Sequence, residues 1–212
     1  MKKSTIIAGV VIFSLFFGCN TEKEASPFTS GIWIDLSYPF STETVYWPTA
    51  KSFQLDTVFA GMTEKGYYYS AFQFCAAEHG GTHIDAPIHF ARDKQTVDQI
   101  PLQRLIASAI LVDVSEQALK NRDYQVSVKD FQEWEKRNGR IPDDCIVLLK
   151  TGYGRFWPDR EKYMGTAARG EGAVKDLHFP GLHPEAAEWL IKARKIKAIG
   201  LDTPSIDYGQ SS

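Results

Sequence analysis

Between His79 and His89 the chain reads His-Gly-Gly-Thr-His-Ile-Asp-Ala-Pro-Ile-His, a composition that rules out a regular helix. Paired glycines carry a large backbone-entropy cost in a helix, and a proline both removes a hydrogen bond and clashes with the preceding turn. The segment must be a loop or an irregular extended stretch, held in place by elements on either side. It also gathers three of the five histidines and one carboxylate. Neutral imidazole and carboxylate are the usual protein ligands of zinc and of other first-row divalent ions. In extended backbone alternate side chains share a side, which places His83 with Asp85, and a bend at Gly80-Gly81 lets His79 join them. Pro87 stiffens the exit, and His89 re-enters two alternations further on. Three ligands with one position left to water is the layout of a catalytic metal site. The bland alternative, a surface turn whose histidines bond to backbone, gives no reason for the glycines.

The N-terminus reads Met1-Lys2-Lys3, an apolar or small run from Ile6 to Gly18, Cys19, and then the polar stretch Asn20 to Ser26. That run is shorter than the ~20 residues a spanning helix needs and ends at a cleavage-like site. It resembles a bacterial lipoprotein signal, with Gly18 before the cut and Cys19 as the lipidated residue, although Phe16 and Phe17 are bulkier than usual at such a site. An ordinary secretory signal or an uncleaved anchor is the alternative. The expected organisation is a signal peptide over 1–18, a polar linker over 19–30 and one domain over 31–212, placed outside the cytoplasm and tied to the membrane through a lipid. Cys75 and Cys145 sit in apolar strand-like segments and are expected to be buried reduced thiols rather than a disulfide. A formal net charge of −2, with no run of like charge, gives no reason to expect nucleic acid.

Alternation predicts strands over Gly31 to Leu36, Ser52 to Phe59 and Tyr67 to Phe74, the last delivering the chain to His79. Near-continuous apolar runs at Ala109 to Val114, Cys145 to Leu149 and Ile196 to Leu201 predict buried strands. A short helix or turn is expected at Gln103 to Ile106, and helical spacing covers Val128 to Asn138 with Gly139 as its stop. Another helix starts at Pro184, with His183 near its N-cap. Arg155 to Gly181 reads as one long glycine-rich loop carrying Trp157 and Tyr163, of the kind that covers a pocket or an interface. Trp33, Trp134 and Trp189 fall on core patterns. The order predicts an α/β fold with a mixed sheet and α+β character.

His79-x-Gly81-Thr82-His83-x-Asp85-x-Pro87-x-His89-Phe90 resembles the signature of the cyclase-like metal-dependent hydrolases, the family of bacterial kynurenine formamidase and isatin hydrolase. The resemblance extends to Trp33–Ser37, Trp47-Pro48, Val97–Leu102, Leu148–Gly152, Phe179–Leu182 and Gly200–Asp207, in family order. It implies a single swivelling β/β/α domain, His79, His83 and Asp85 as ligands of a divalent zinc or manganese ion, His89 as the acid/base residue, Trp47 as a substrate-contacting aromatic, and a homo-oligomer. The family's second metal position draws on a histidine and a glutamate beyond the segment matching Asp202 to Gly209. His178 and His183 lie upstream of it, so the chain is expected to be a member cut short at its C-terminus.

A divalent ion lowers the pKa of coordinated water toward ~7, and imidazole is the side chain that ordinarily exchanges protons near neutral pH. The expected reaction is hydrolysis of a carbon–nitrogen bond in a small amide or cyclic amide, with N-formylkynurenine as the leading substrate by resemblance. A one-metal cyclic amidase like isatin hydrolase and a metal-binding protein without turnover are the alternatives. From the residues alone, Trp47 stacks on an aromatic substrate or closes a core edge, and both stay open. Asp202, Ser205 and Asp207 could line the pocket or serve turn chemistry, Glu78 could support the neighbouring ligand His79, and Arg155 and Arg160 could meet a substrate carboxylate, with a solvated charge as the default for these last three.

Overall fold

A computed structural model describes residues 31–211, which divide into two units between Leu36 and Ser37. The signal-like run, Cys19 and most of the linker lie outside the described residues. Among those described, no helix is long and apolar enough to cross a membrane.

The larger unit is built on a parallel three-stranded sheet in the order β3 (Ala109–Asp113), β5 (Ile146–Lys150), β7 (Ala198–Leu201). Parallel neighbours need crossovers, and here these carry the helices α3 (Val128–Asn138) and α5 (Pro184–Arg194). Strand alternation sends Val112, Val147 and Leu149 to one face, where they meet Phe131 of α3 and Ala186 and Leu190 of α5 in a closed core. The opposite face carries the register row Leu111, Leu148, Gly200, in which Leu111 is exposed. Helix α3 begins where Asp130 turns back to accept hydrogen bonds from the backbone N–H and hydroxyl of Ser127, both at 2.8 Å. It stops at Gly139 with φ +85°, a conformation glycine adopts without strain. Arg194 locks the two helices with a forked pair to Glu135 at 2.6 and 2.8 Å, both side chains largely buried.

Before this sheet comes an antiparallel hairpin, β1 (Gln54–Met62) with β2 (Tyr68–Cys75), closed by a turn in which Gly66 takes φ +83°. Between the sheet strands run α1 (Leu102–Leu105), α2 (Ser115–Lys120) and a short parallel pair, β4 (Gln125–Val126) with β6 (Gly181–Leu182). The mixed α/β class is as expected. Residues 31–40 form no strand, however, and Trp33 is 75% exposed rather than core. Cys75 is exposed and free, since both faces of the two-stranded hairpin are largely open, while Cys145 is buried as expected. The expected long loop after β5 is not one loop. It contains a 3-10 turn at Tyr153–Phe156, helix α4 (Arg160–Met164) and a second 3-10 stretch at Glu171–Asp176. Tyr153, Tyr163, Met164, Leu177 and Phe179 from this region bury themselves with Val45 in a second core, against which Trp47 and Trp157 pack. Charge and glycine content hid these turns, because their apolar residues face a local cluster rather than following one helical period.

Candidate metal centre

The His79–His89 loop is pinned from below by Tyr46, which pairs with Gly80 in an isolated antiparallel bridge and is only 1% exposed. Its ring lies flat against Gly80: a Cβ there would sit 2.1 Å from Cε1 and 2.2 Å from Cδ1. Gly81 continues at φ +61°, and its carbonyl accepts from His83 Nδ1 at 3.0 Å. That bond makes Nδ1 a donor and turns Nε2 toward Asp85, the orientation an outer partner fixes in a metal site. Thr82 is fastened in turn by the backbone N–H of Tyr38 at 2.9 Å, and Pro87–His89 turn as a 3-10 helix.

The loop converges its side chains. Asp85 Oδ1 lies 2.6 Å from His79 Nδ1 and 3.2 Å from His83 Nε2. His89 stacks on His79 with ring centroids 3.6 Å apart, and the His79 and His83 rings stand edge to face at 5.4 Å. The tightest group, with ligand atoms within 4.8 Å of one another, is His79, Asp85 and His89, and His83 joins it through Asp85. The structure thus brings together all four residues singled out in the sequence and sets His89 as close as the expected ligands. One carboxylate and three imidazoles fit a zinc- or manganese-class ion by donor chemistry. Glu78, 87% exposed in its side chain, reaches His79 Nε2 at 3.4 Å. His178 pairs with Asp123 at 2.9 Å and His183 caps α5, so neither approaches the cluster.

Beside the cluster lies a cavity of about 430 Å³. Trp47, Phe90, Trp157 and Tyr163 form its aromatic wall, and Thr203, Pro204 and Ser205 line it from the segment after β7. Trp157 is held between Tyr38, stacked at 4.5 Å, and Tyr163, edge-on at 5.5 Å. Burial, with smaller effects of Tyr38 and Asp202, pushes the Tyr163 phenol far up, so it presents a neutral hydroxyl. Trp47 closes a core edge, standing edge-on to Phe179 at 6.2 Å, and it also lines the cavity. Phe90 and Thr203 had no assigned role, whereas Trp157 and Tyr163 lie on the stretch expected to cover a pocket or an interface. Ser205 lines the cavity, whereas Asp202 turns to the backbone at residues 151–154 and Asp207 stays outside.

The loop that carries Trp47 is itself clasped. Arg160 Nη1 donates to Tyr46 O at 2.6 Å, Gly170 N to Pro48 O at 3.0 Å, and Arg169 Nη2 to Ala50 O.

A mixed α/β fold with an imidazole–carboxylate cluster on a glycine-bent loop, opening on an aromatic cavity, defines the class as one with a candidate divalent-metal centre. The profile of the family described as "Putative cyclase" matches residues 34–208, and the chain belongs to that family. It is similar to an isatin hydrolase of Roseibium aggregatum, 29% identical over 138 residues that cover 63% of this chain and 50% of that protein. It is also similar to a kynurenine formamidase of Salinibacter ruber, 31% identical over 82% of this chain and 70% of that one. Among solved structures, isatin hydrolase A from Ralstonia solanacearum superimposes with a TM-score of 0.71 at 31% identity, covering 84% of this chain and 69% of that chain. The chain thus spans half to about 70% of the length of these relatives.

Gly80→Ala tests the pin under the loop. Its Cβ falls inside the Tyr46 ring, whose surroundings are packed, so either the ring or the metal loop must move. Overpacking of this kind costs about 1–3 kcal/mol. The expected result is a lower melting temperature together with weaker zinc binding in a titration of the folded protein. An unchanged melt would show that Tyr46 is free to give way.

Proposed function

We propose that the chain is a metal-dependent hydrolase that cleaves the carbon–nitrogen bond of an aryl formamide or cyclic amide, with N-formylkynurenine as first candidate. The observation that carries this reading is the convergence of Asp85 and three imidazoles at the mouth of an aromatic-walled cavity. His79, His83 and Asp85 are the residues to hold a divalent ion, which when bound would polarise a carbonyl and acidify water. Trp47 and Trp157 give a planar substrate two aromatic surfaces, and Tyr163 offers a hydroxyl donor. His89, stacked on His79 and lining the same cavity, is placed to accept a proton at an imidazole nitrogen and return it to the departing amine. The likeness to isatin hydrolases supports a second substrate for the same site, a cyclic amide such as isatin. We place this activity outside the cytoplasm, tethered through Cys19.

The test is turnover of N-formylkynurenine, other aryl formamides and isatin by purified protein loaded with zinc or manganese, with elemental analysis to count one ion or two. Hydrolysis is expected for at least one class. His89→Ala is expected to cut kcat by about 10²–10⁴-fold while the ion is retained. Loss of the ion instead would make His89 a ligand. A stoichiometrically loaded protein inert toward every member of the panel would leave a metal-binding protein without turnover and sink the enzymatic reading.

A further inference from the structure

We propose that Arg160, flanked by Arg169, forms an anion subsite beside the aromatic cavity that receives a carboxylate group. Arg160 opens helix α4 and spends one guanidinium nitrogen, Nη1, on the carbonyl of Tyr46. Its other two nitrogens, Nε and Nη2, are buried and have no hydrogen-bond acceptor among the described residues. Nε–H and Nη2–H share one edge of the planar group, the edge that binds both oxygens of a carboxylate in parallel.

The charge is as unmatched as the donors. Asp159, next in sequence, takes Lys162 at 2.7 Å instead, and no described ion pair includes Arg160 or Arg169. The charged neighbour that Arg160 does feel is Arg169, a like charge which adds to burial in pulling the Arg160 pKa below its ordinary value. Buried charges are normally paired, because desolvation without a partner is costly. A cation that is desolvated, forked and accompanied by a second cation is complementary to an anion.

Its position ties the subsite to the cavity. Tyr46, whose carbonyl Arg160 holds, lines the cavity, as do Trp157 and Tyr163, three residues to either side of Arg160 in sequence. The residue as a whole keeps partial exposure, while Nε and Nη2 are buried behind the residues that line the cavity rather than lining it themselves. An aromatic ring against Trp47 or Trp157 with a carboxylate directed toward Arg160 is the ligand class this juxtaposition fits. Binding at Arg160 stands apart from the metal chemistry. Its use to select carboxylate-bearing aryl substrates rests on the hydrolase reading above.

The test compares benzoate with its neutral isostere benzamide, by calorimetric or NMR titration of the full chain stripped of metal with a chelator. Stripping removes the ion as a rival anion receptor and makes the result independent of turnover. Benzoate is expected to bind at least tenfold more tightly than benzamide. Arg160→Gln should abolish that preference, Arg169→Gln should narrow it several-fold, and Arg160→Lys, which keeps the charge without the fork, should retain part of it. Should Arg160→Gln fail to fold through loss of its bond to Tyr46, the Lys and Arg169→Gln variants carry the test. Equal binding of benzoate and benzamide to the parent chain, or an undiminished preference in the Arg160 variants, overturns the subsite whatever the metal centre does.

Discussion

Asp85→Ala is expected to abolish stoichiometric zinc or manganese binding while leaving the metal-free protein folded. Asp85 is the hub of the cluster, with one oxygen 2.6 Å from His79 and 3.2 Å from His83. Removing an outer partner of a metal ligand already costs about 10–100-fold in affinity. Removing the only carboxylate in the group, and with it the contact that ties two imidazoles together, should cost more than that upper figure. Without metal the same carboxylate is a half-exposed surface partner, 46% exposed in its side chain. Such pairs contribute about 0–1 kcal/mol, so the metal-free melt should barely move. The measurement is a pair of thermal scans. In the parent chain, metal at 100 times its dissociation constant stabilises by about 2.7 kcal/mol, seen as a rise in melting temperature. In Asp85→Ala that rise should vanish. A variant that still gains stability from metal would assign the site to other residues.

The cluster was legible because its four residues lie within eleven positions and because Gly80, Gly81 and Pro87 restrict the backbone locally. The parallel strands were legible for a similar reason: β3, β5 and β7 are short apolar runs flanked by helical periods, and their pairing follows from connection geometry. What escaped depends on distant residues. Trp157 and Tyr163 reach the cavity only because the segment after β5 folds back on Val45 and Phe179 in a second core. No period in the sequence encodes that return. The N-terminal Gly31–Leu36 alternates like a strand, yet it is not one of the described strands, and alternation alone does not make a sheet. Arg160 is the sharpest case. In sequence it could meet a substrate carboxylate or, by default, be one solvated charge among many on a glycine-rich stretch, and only the position of Tyr46 O shows that one edge is used and another is buried without an acceptor.

Asp202 shows how a residue on a functional-looking segment can instead hold the scaffold, and its replacement by alanine is expected to be the most destabilising of these changes. At the end of β7, its Oδ1 accepts from Thr151 N and Thr151 Oγ1, both at 2.7 Å. Its Oδ2 accepts from Gly152 N at 2.9 Å and Gly154 N at 3.3 Å. One carboxylate thus satisfies four donors on the turn that leaves β5, a turn forced through φ +81° at Gly152 and fully buried at Thr151. Hydrogen bonds to a charged acceptor contribute about 1.5–3 kcal/mol each, and buried donors left unpaired cost about 1–3 kcal/mol. These values do not add within one network, so the estimate for Asp202→Ala is about 3–5 kcal/mol. For a domain of this length that lowers the melting temperature by about 6–20 °C. Asp202→Asn should lose less, because one oxygen survives, but its amide would face N–H donors at the other position. Below its own transition Asp202→Asn should bind metal as the parent does, since Asp202 touches none of the four cluster residues. A melt within 2–3 °C of the parent for Asp202→Ala would show that water replaces the carboxylate and that Thr203 to Ser205, not Asp202, hold the cavity wall.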